Sequence, residues 1–479
     1  MTNVITSLTN LAFILQTYKD YIYNRSYLIE QSIHSSAFES VISIISIQDN
    51  TSVADQDYLL VSVDSKVFFT DVTLLNINIS QTYLDLVQSE TTLSNLKISN
   101  LTCSTDYSIL TLLNSETVMS NITYSDSSCS FLRSTNSDVS ISNATISSIN
   151  ADDYLLLFLN SVITIIENMY IGDVSSTLTS IMKSDKNVIH LIHNLTMINI
   201  QNTAFYLEDS TVTTIDNSTF SNCLRGISAR ESSFGTISNS TFENIGVSSN
   251  IHGSALYLLS SNATVQGSTF TNNSAYNGAG FFSSCSLANQ CSTSLTNNTF
   301  DGNSALMKGG AVYYTMNRPT LDNNTFSHNT AEYGPDIGSY PVRIVEHGKA
   351  TNKVTLGGVA SGLDFDTPTI FDLVDYDNQV MNMEDSSIVK LTGKSANSSI
   401  FGTDYAKINS GIASFDVINF MASSGRQGVE YSVTTKAIDS AKAMLVAQND
   451  EDYQQNYVTT LKVNFRNCKP GEYEDSKGQ

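Results

Sequence analysis

The residues able to do chemistry in this 479-residue chain are few and dispersed. Asp152–Asp153, in NADDYLL, is the only Asp–Asp pair. Paired carboxylates support general acid–base or calcium-assisted chemistry when a base stands beside them. No Lys or Arg flanks this pair, and Arg133, Arg225, Arg230 and Arg318 are scattered. His190 and His193, in HLIH, differ by an odd number. Along a regular strand that spacing puts them on opposite faces, where they make no metal pair. Asp375 and Asp377, in DYDNQV, have the look of a calcium loop, but Asp and Asn in a turn read first as turn chemistry. No Cys/His spacing resembles a zinc site. No catalytic residue, metal ligand or cofactor is therefore assigned, and a non-enzyme is expected.

The commonest chemical signature is Asn-x-Ser/Thr, which recurs in near-identical settings: NSTFSNC from Asn217, NSTFENI from Asn239, NNTFDGN from Asn297 and NNTFSHN from Asn323. Aligned on this position, the chain repeats from Asp71 through Asn95, Asn121, Asn143, Asn168, Asn194, Asn217, Asn239, Gly267 and Asn297 to Asn323. These eleven copies of about 25 residues indicate one stacked unit. Two residues before each anchor the side chain is apolar, from Phe69 to Leu321. Three residues after it the column runs from Leu74 to Phe326, again without a charge. Inward positions on one strand differ by an even number. Columns five apart therefore require a bend, and Asn, Asp and Gly at the anchor best tolerate the left-handed conformation that makes one.

A third apolar run in each copy, such as DYLLLFL or GGAVYY, completes three short strands per turn. The expected fold is all-β: a right-handed parallel β-helix with rungs about 4.8 Å apart, roughly 50 Å long over eleven rungs. Phe220, Phe242, Phe270, Phe300 and Phe326 are expected to stack inside it. IISIQDN from Ile44 and DYIYNRS from Asp20 read as degenerate earlier rungs. Residues 1–60 are thus degenerate rungs or an incomplete cap, and 61–340 the helix.

This register reinterprets the sequons. Asn95, Asn121, Asn143, Asn168, Asn194, Asn217, Asn239, Asn297 and Asn323 are expected to form a partly buried ladder of corner amides that carries no sugar. Asn24, Asn50, Asn78, Asn100, Asn262, Asn272 and Asn397 lie outside the ladder and are the glycosylation candidates. Cys103 and Cys129 each stand eight residues after an anchor. They should stack on adjacent rungs within disulfide reach, while Cys285 and Cys291 should pin the loop CSLANQC. Cys223 reads as a buried thiol. Cys468 would pair beyond residue 479. Paired surface cysteines point to an oxidising, extracytoplasmic setting.

Ser, Thr, Asn and Ile dominate, and Trp is absent. A net charge of −22 repels phosphate backbones and anionic membranes, so nucleic acid is excluded as a partner. No stretch of eighteen apolar residues occurs. The N-terminal residues lack the pattern of a secretion signal, so targeting and anchoring signals are expected outside these residues.

After about Val342 strand-like runs alternate with turns. NKVTLGG, PTIFDLVDYDNQVM (as a hairpin), SIVKLTG, GIASFDVINF, GVEYSVTT and YVTTLKVNF predict an immunoglobulin-like β-sandwich over 341–466. DSAKAMLVAQNDED is expected as a short helix or loop. Residues 467–479 begin a cysteine-containing module.

GGAV at Gly309 with FSHN at Phe326 resembles the paired motifs of chlamydial polymorphic outer-membrane proteins, as do FDGN at Phe300, FTNN at Phe270, GSAL at Gly253 and GAGF at Gly278. The module order, ending in FRNCKPGEY, resembles large surface proteins of ciliates and other protists. In those a β-helix precedes an immunoglobulin-like domain and an ephrin-receptor-like cysteine-rich module. The resemblance implies a non-enzymatic extracellular or cell-surface rod for adhesion, touching surface or matrix proteins or glycans. It implies a membrane only through segments outside this chain. The alternatives are a polysaccharide-binding or polysaccharide-degrading helix, and the ectodomain of a receptor-like membrane protein. Polygalacturonase-like sites need Asp on adjacent rungs with Gly-His-Gly and Arg-Ile-Lys nearby. Only IHGS at Ile251 half-matches.

Overall fold

The computed structural model describes residues 60–64, 66–79, 84–103, 108–246, 251–286, 291–441, 443 and 459–473. It also gives the strand backbones Ile29–Glu30, Glu39–Ser43 and Ser46–Asn50. The chain folds as two compact units. The first runs to Ser283 and includes Cys291–Leu306 and Pro319–Asn329. The second holds Ser284–Gln290, Met307–Arg318 and Thr330–Gln479.

The first unit is a parallel β-helix. Equivalent residues pair rung to rung: Met119 with Leu93 and Ile141, Phe220 with Met197 and Phe242, Phe270 with Phe242 and Phe300. Ile47 pairs with Leu74 and Ile42 with Phe69, so the 27-residue offset reaches below Asp71. The proposed rung from Asp20 lies outside the described residues.

All eleven anchors are left-handed, with φ between 48° and 60°. Two further left-handed corners recur from rung to rung among the described residues. One stands five residues after every anchor, from Asn76 and Asn100 to Asn272, Gly302 and His328. The other precedes the anchor and includes Asp64, Asn114, Lys186 and Glu231. A left-handed residue costs an ordinary side chain about 1–2 kcal/mol, which Asn and Asp largely avoid by local hydrogen bonding.

The residue after each corner points inward, and in many rungs it is polar. Its side-chain oxygen accepts the backbone N–H of the rung before. Ser89, Ser115 and Ser137 donate to Ser115, Ser137 and Ser161 at 3.1, 3.0 and 3.2 Å. Ser268 donates to Asn298, and Asn298 to Asn324, each at 2.9 Å. Asn273 and Asn303 donate to Asn303 and Asn329 at 3.2 and 3.0 Å. A corner breaks the main-chain ladder, and these side chains satisfy donors that would otherwise lie buried and unpaired.

Between the corners the interior is mostly apolar, with Thr91, Thr117, Ser134 and Ser184 as buried exceptions. Phe220, Phe242, Phe270, Phe300 and Phe326 stack with centroids 5.1, 4.9, 4.7 and 5.2 Å apart and planes within 8°. Phe-x-x-Asn thereby acquires a physical meaning: its Phe enters the aromatic stack, and its Asn (Asn273, Asn303, Asn329) enters the interior amide ladder.

The second unit contains an eight-stranded sheet in the order Arg343–Glu346, Thr369–Val374, Ile412–Phe415, Tyr405–Asn409, Ile388–Gly393, Val429–Thr435, Thr459–Phe465 and Lys353–Val359. Its pairings are antiparallel except the last, which is parallel. A three-stranded sheet joins Asp364–Phe365, Ile418–Met421 and Ser399–Phe401. Phe371, Phe415, Phe420 and Tyr431 centre the core. The hairpin expected across DLVDYDNQVM is present in minimal form: the chain reverses after Asp375 and returns through one antiparallel bridge, Val374 to Val380, with the Asp375 N–H donating to Gln379 at 3.1 Å and the Met381 N–H to Leu373 at 2.9 Å. Thr369–Val374 also pairs with Arg343–Glu346 along one edge and Ile412–Phe415 along the other, so the main-chain groups on both of its edges find partners. Ser440 begins a helical turn whose Ala441 N–H is capped by Asp439 at 3.0 Å.

Candidate functional site

Two surfaces of the first unit concentrate side chains suited to binding. The first is a trough along the corner five residues after the anchors. Two adjoining cavities of about 420 and 500 Å³ share Asp173 and Ser175. One wall is the left-handed column Asn100, Asp126, Ser148, Asp173, Asn199 and Asn222. The other is Thr102, Ser128, Asn150, Ser175, Gln201 and Leu224, and buried residues such as Ile149 and Cys223 floor it. Asn199 donates to Asp173 at 2.8 Å and Asn222 to Asn199 at 3.1 Å, which fixes part of the first wall. Ser175 donates to Asn150 at 2.7 Å across one rung.

The second surface is an outward stack on the third face. Leu157, Lys183, Tyr206, Ser228 and Tyr257 occupy successive rungs of one column. The Lys183 ammonium lies 5.7 Å from the ring centroids of both Tyr154 and Tyr206. It also bridges to Glu208 at 3.6 Å and Asp185 at 3.9 Å. The Arg225 guanidinium stacks 4.4 Å from the Tyr257 centroid and donates to the carbonyls of Gly253 and His252 at 2.9 and 2.8 Å. Phe282 packs against Tyr257 at 4.9 Å, and His252 edges Tyr276 at 5.2 Å. Burial and the neighbouring Arg225 lower the His252 pKa. A Cβ at Gly253 would collide with Phe282 and Tyr257, so only glycine fits there. Cations over rings hold the side chains of this strip against one another.

The other chemical candidates resolve into structure. Asp153 caps the N–H of Tyr154 at 2.7 Å, and Asp152 and Asp153 offer their carbonyls to Thr177 and Ser176, so the acidic pair is a turn. His190 and His193 do not lie on opposite faces. Ile189 and Ile192 are both buried, and His190 stands level with Thr164, the residue by which the preceding strand exceeds Val139–Ser140; this added residue persists in the His190 strand and turns both imidazoles outward. His193 then sits 3.2 Å from Asp216.

Asp375 and Asp377 are committed to protein donors. Tyr333 and Gln379 donate to Asp375, the Gln379 N–H at 2.9 Å, and burial raises the Asp375 pKa. Asp377 accepts from Tyr314 at 2.8 Å and from Arg318 at 2.6 Å, an arrangement that disfavours calcium. No metal-ligand cluster occurs among the described residues.

Cys103 and Cys129 are bridged, with Cα atoms 5.2 Å apart. Cys285 and Cys291 are both disulfide-bonded. Cys223 is a buried free thiol whose pKa burial pushes up to about 12, and Cys468 is free and exposed.

The corner asparagines differ from expectation. Asn121, Asn168 and Asn194 donate to Asn95, Asn143 and Asn168 at 3.1, 3.2 and 2.7 Å, and Asn95 to Asp71 at 2.8 Å. Asn239 turns instead to Asp216 at 3.0 Å. These side chains are exposed rather than partly buried, because a left-handed corner residue points outward and its successor fills the interior. Asn100 and Asn272 are themselves left-handed corners, and Asn100 donates to Asn76 at 2.7 Å, so they belong to a second ladder. Asn262 and Asn397 are exposed, the former accepting from the Ser292 N–H at 2.7 Å. Asn24 and the side chains of Asn50 and Asn78 lie outside the described residues.

Stacked parallel rungs with left-handed corners define a solenoid, and residues 180–354 match the family model described as a right handed beta helix region. The first unit is a right-handed parallel β-helix in an all-β chain. A search of curated proteins returned no match.

Proposed function

We propose that this chain is a non-enzymatic rod of the extracellular space or cell surface, and that the Tyr154–Lys183–Tyr206 and Arg225–Tyr257–Phe282 stack is its contact surface. The observation that carries the reading is that stack: half-exposed tyrosines held by cations on an otherwise Ser/Thr/Asn exterior. Rigid Tyr and Arg side chains dominate binding energy in protein interfaces and lose little entropy on contact. Two disulfides favour an oxidising compartment. In this reading the second unit serves as the immunoglobulin-like spacer of a protist-type surface protein. Binding of the labelled chain to arrays of cell-surface and matrix proteins tests the proposal. Tyr206→Ser/Tyr257→Ser should abolish the signal while leaving the circular dichroism spectrum intact. A signal unchanged by the double substitution would reject the strip as the contact surface.

A further inference from the structure

The trough is a second surface, independent of the aromatic stack. Its walls repeat with the rungs, each rung adding one amide, hydroxyl or carboxylate to either side, except that Leu224 ends the second wall. From Asn100 to Asn222 it crosses six rungs, five steps of about 4.8 Å, or roughly 24 Å. A ligand matched to it must repeat at the same step and present hydrogen-bonding groups on both flanks. An extended chain of equatorially linked pyranoses does both, advancing by close to the rung spacing per sugar.

Charge narrows the class. Among the described residues no Lys, Arg or His lines either cavity, and the only charged side chains are Asp126 and Asp173, two rungs apart. Carboxylates accept strongly from sugar diols but repel uronates and sulfates. Asp126 and Asp173 each spend one acceptor position on a neighbour, Ser125 at 2.8 Å and Asn199 at 2.8 Å. A carboxylate has about four such positions, so both keep capacity for a ligand. We infer that this trough binds an uncharged, linear, β-1,4-linked polysaccharide lying along the helix axis, one sugar per rung, with Asp126 and Asp173 accepting hydroxyls from alternate sugars.

The test is native electrophoresis of the full chain through gels containing hydroxyethyl cellulose, galactomannan or polygalacturonate. The uncharged polymers should retard it and polygalacturonate should not. Asp126→Gly/Asp173→Gly deletes part of one wall where glycine suits the left-handed backbone. It should weaken retardation by at least about tenfold in polymer concentration. Asn194→Gly, at an equivalent corner outside the trough, should leave retardation unchanged. So should Tyr206→Ser/Tyr257→Ser, which separates this site from the proposed contact stack. Absence of retardation in both uncharged polymers, equal retardation by polygalacturonate, or full retardation of the Asp126→Gly/Asp173→Gly protein would each overturn the inference.

Discussion

Replacing Phe270 by alanine probes the interior stack at its centre. Phe270 is fully buried and lies between Phe242 at 4.9 Å and Phe300 at 4.7 Å, both also fully buried. Truncating a buried Phe costs about 3–5 kcal/mol, more where the surroundings do not collapse into the cavity. Rung pairing through Thr269, Phe270 and Thr271 fixes the backbone on both sides, so little collapse is available. The expected loss is therefore near the upper end, about 4–5 kcal/mol. Phe326 ends the stack, touches one ring at 5.2 Å and is partly exposed, so Phe326→Ala should cost roughly half as much. Urea titration followed by circular dichroism measures both. Hydrogen exchange should show the Phe270→Ala loss concentrated in the rungs of Phe242 and Phe300, since solenoid repeats couple to their neighbours. A loss below about 1 kcal/mol at Phe270, or a larger loss at Phe326, would refute the stacked interior.

Three further outcomes are expected. Cys103→Ser/Cys129→Ser opens a loop of sequence separation 26 and should lower stability by up to about 3.5 kcal/mol on the chain-entropy model; a neutral effect in urea titration would show that neighbouring rungs already restrain that loop. Ellman titration of the native protein should modify Cys468 promptly and Cys223 only after denaturation, because Cys223 is buried with its pKa raised to about 12; two fast thiols would place Cys223 outside the interior. Burial holds the Asp375 pKa above its ordinary 3.8, so its contribution favours the folded second unit below that value and is lost as pH rises through the raised one. Asp375→Asn should therefore remove a downward slope in melting temperature above pH 3.8, and identical wild-type and variant pH profiles would contradict this.

The anchor corner was legible because one residue type does one job there. Asn, Asp or Gly recurs at the left-handed position, between apolar columns that cannot share a straight strand. The corner five residues later is equally regular, but Ser148 and His328 break its Asn/Asp signature, and at Asn100 and Asn272 the sequon masks the corner. Its trough was invisible for the same reason. The third corner was beyond reach: Lys186 and Glu231 are not left-handed formers, and rung stacking imposes the conformation on them. The outward turn of both His190 and His193 depends on one extra residue in a strand, which alternation rules do not reveal. In the second unit the strand segments could be read but not their partners, which lie far apart in sequence. The parallel pairing of Lys353–Val359 with Thr459–Phe465 is the clearest case.

Spin labels on the outward threonine column test the rung-on-rung account most directly. With one label at Thr123 and the other at Thr241, Thr299 or Thr325, the pairs span five, seven and eight rungs. Double electron–electron resonance should give separations rising linearly, near roughly 24, 34 and 38 Å at about 4.8 Å per rung. Distances that fail to increase in that order would contradict a helix of stacked parallel rungs.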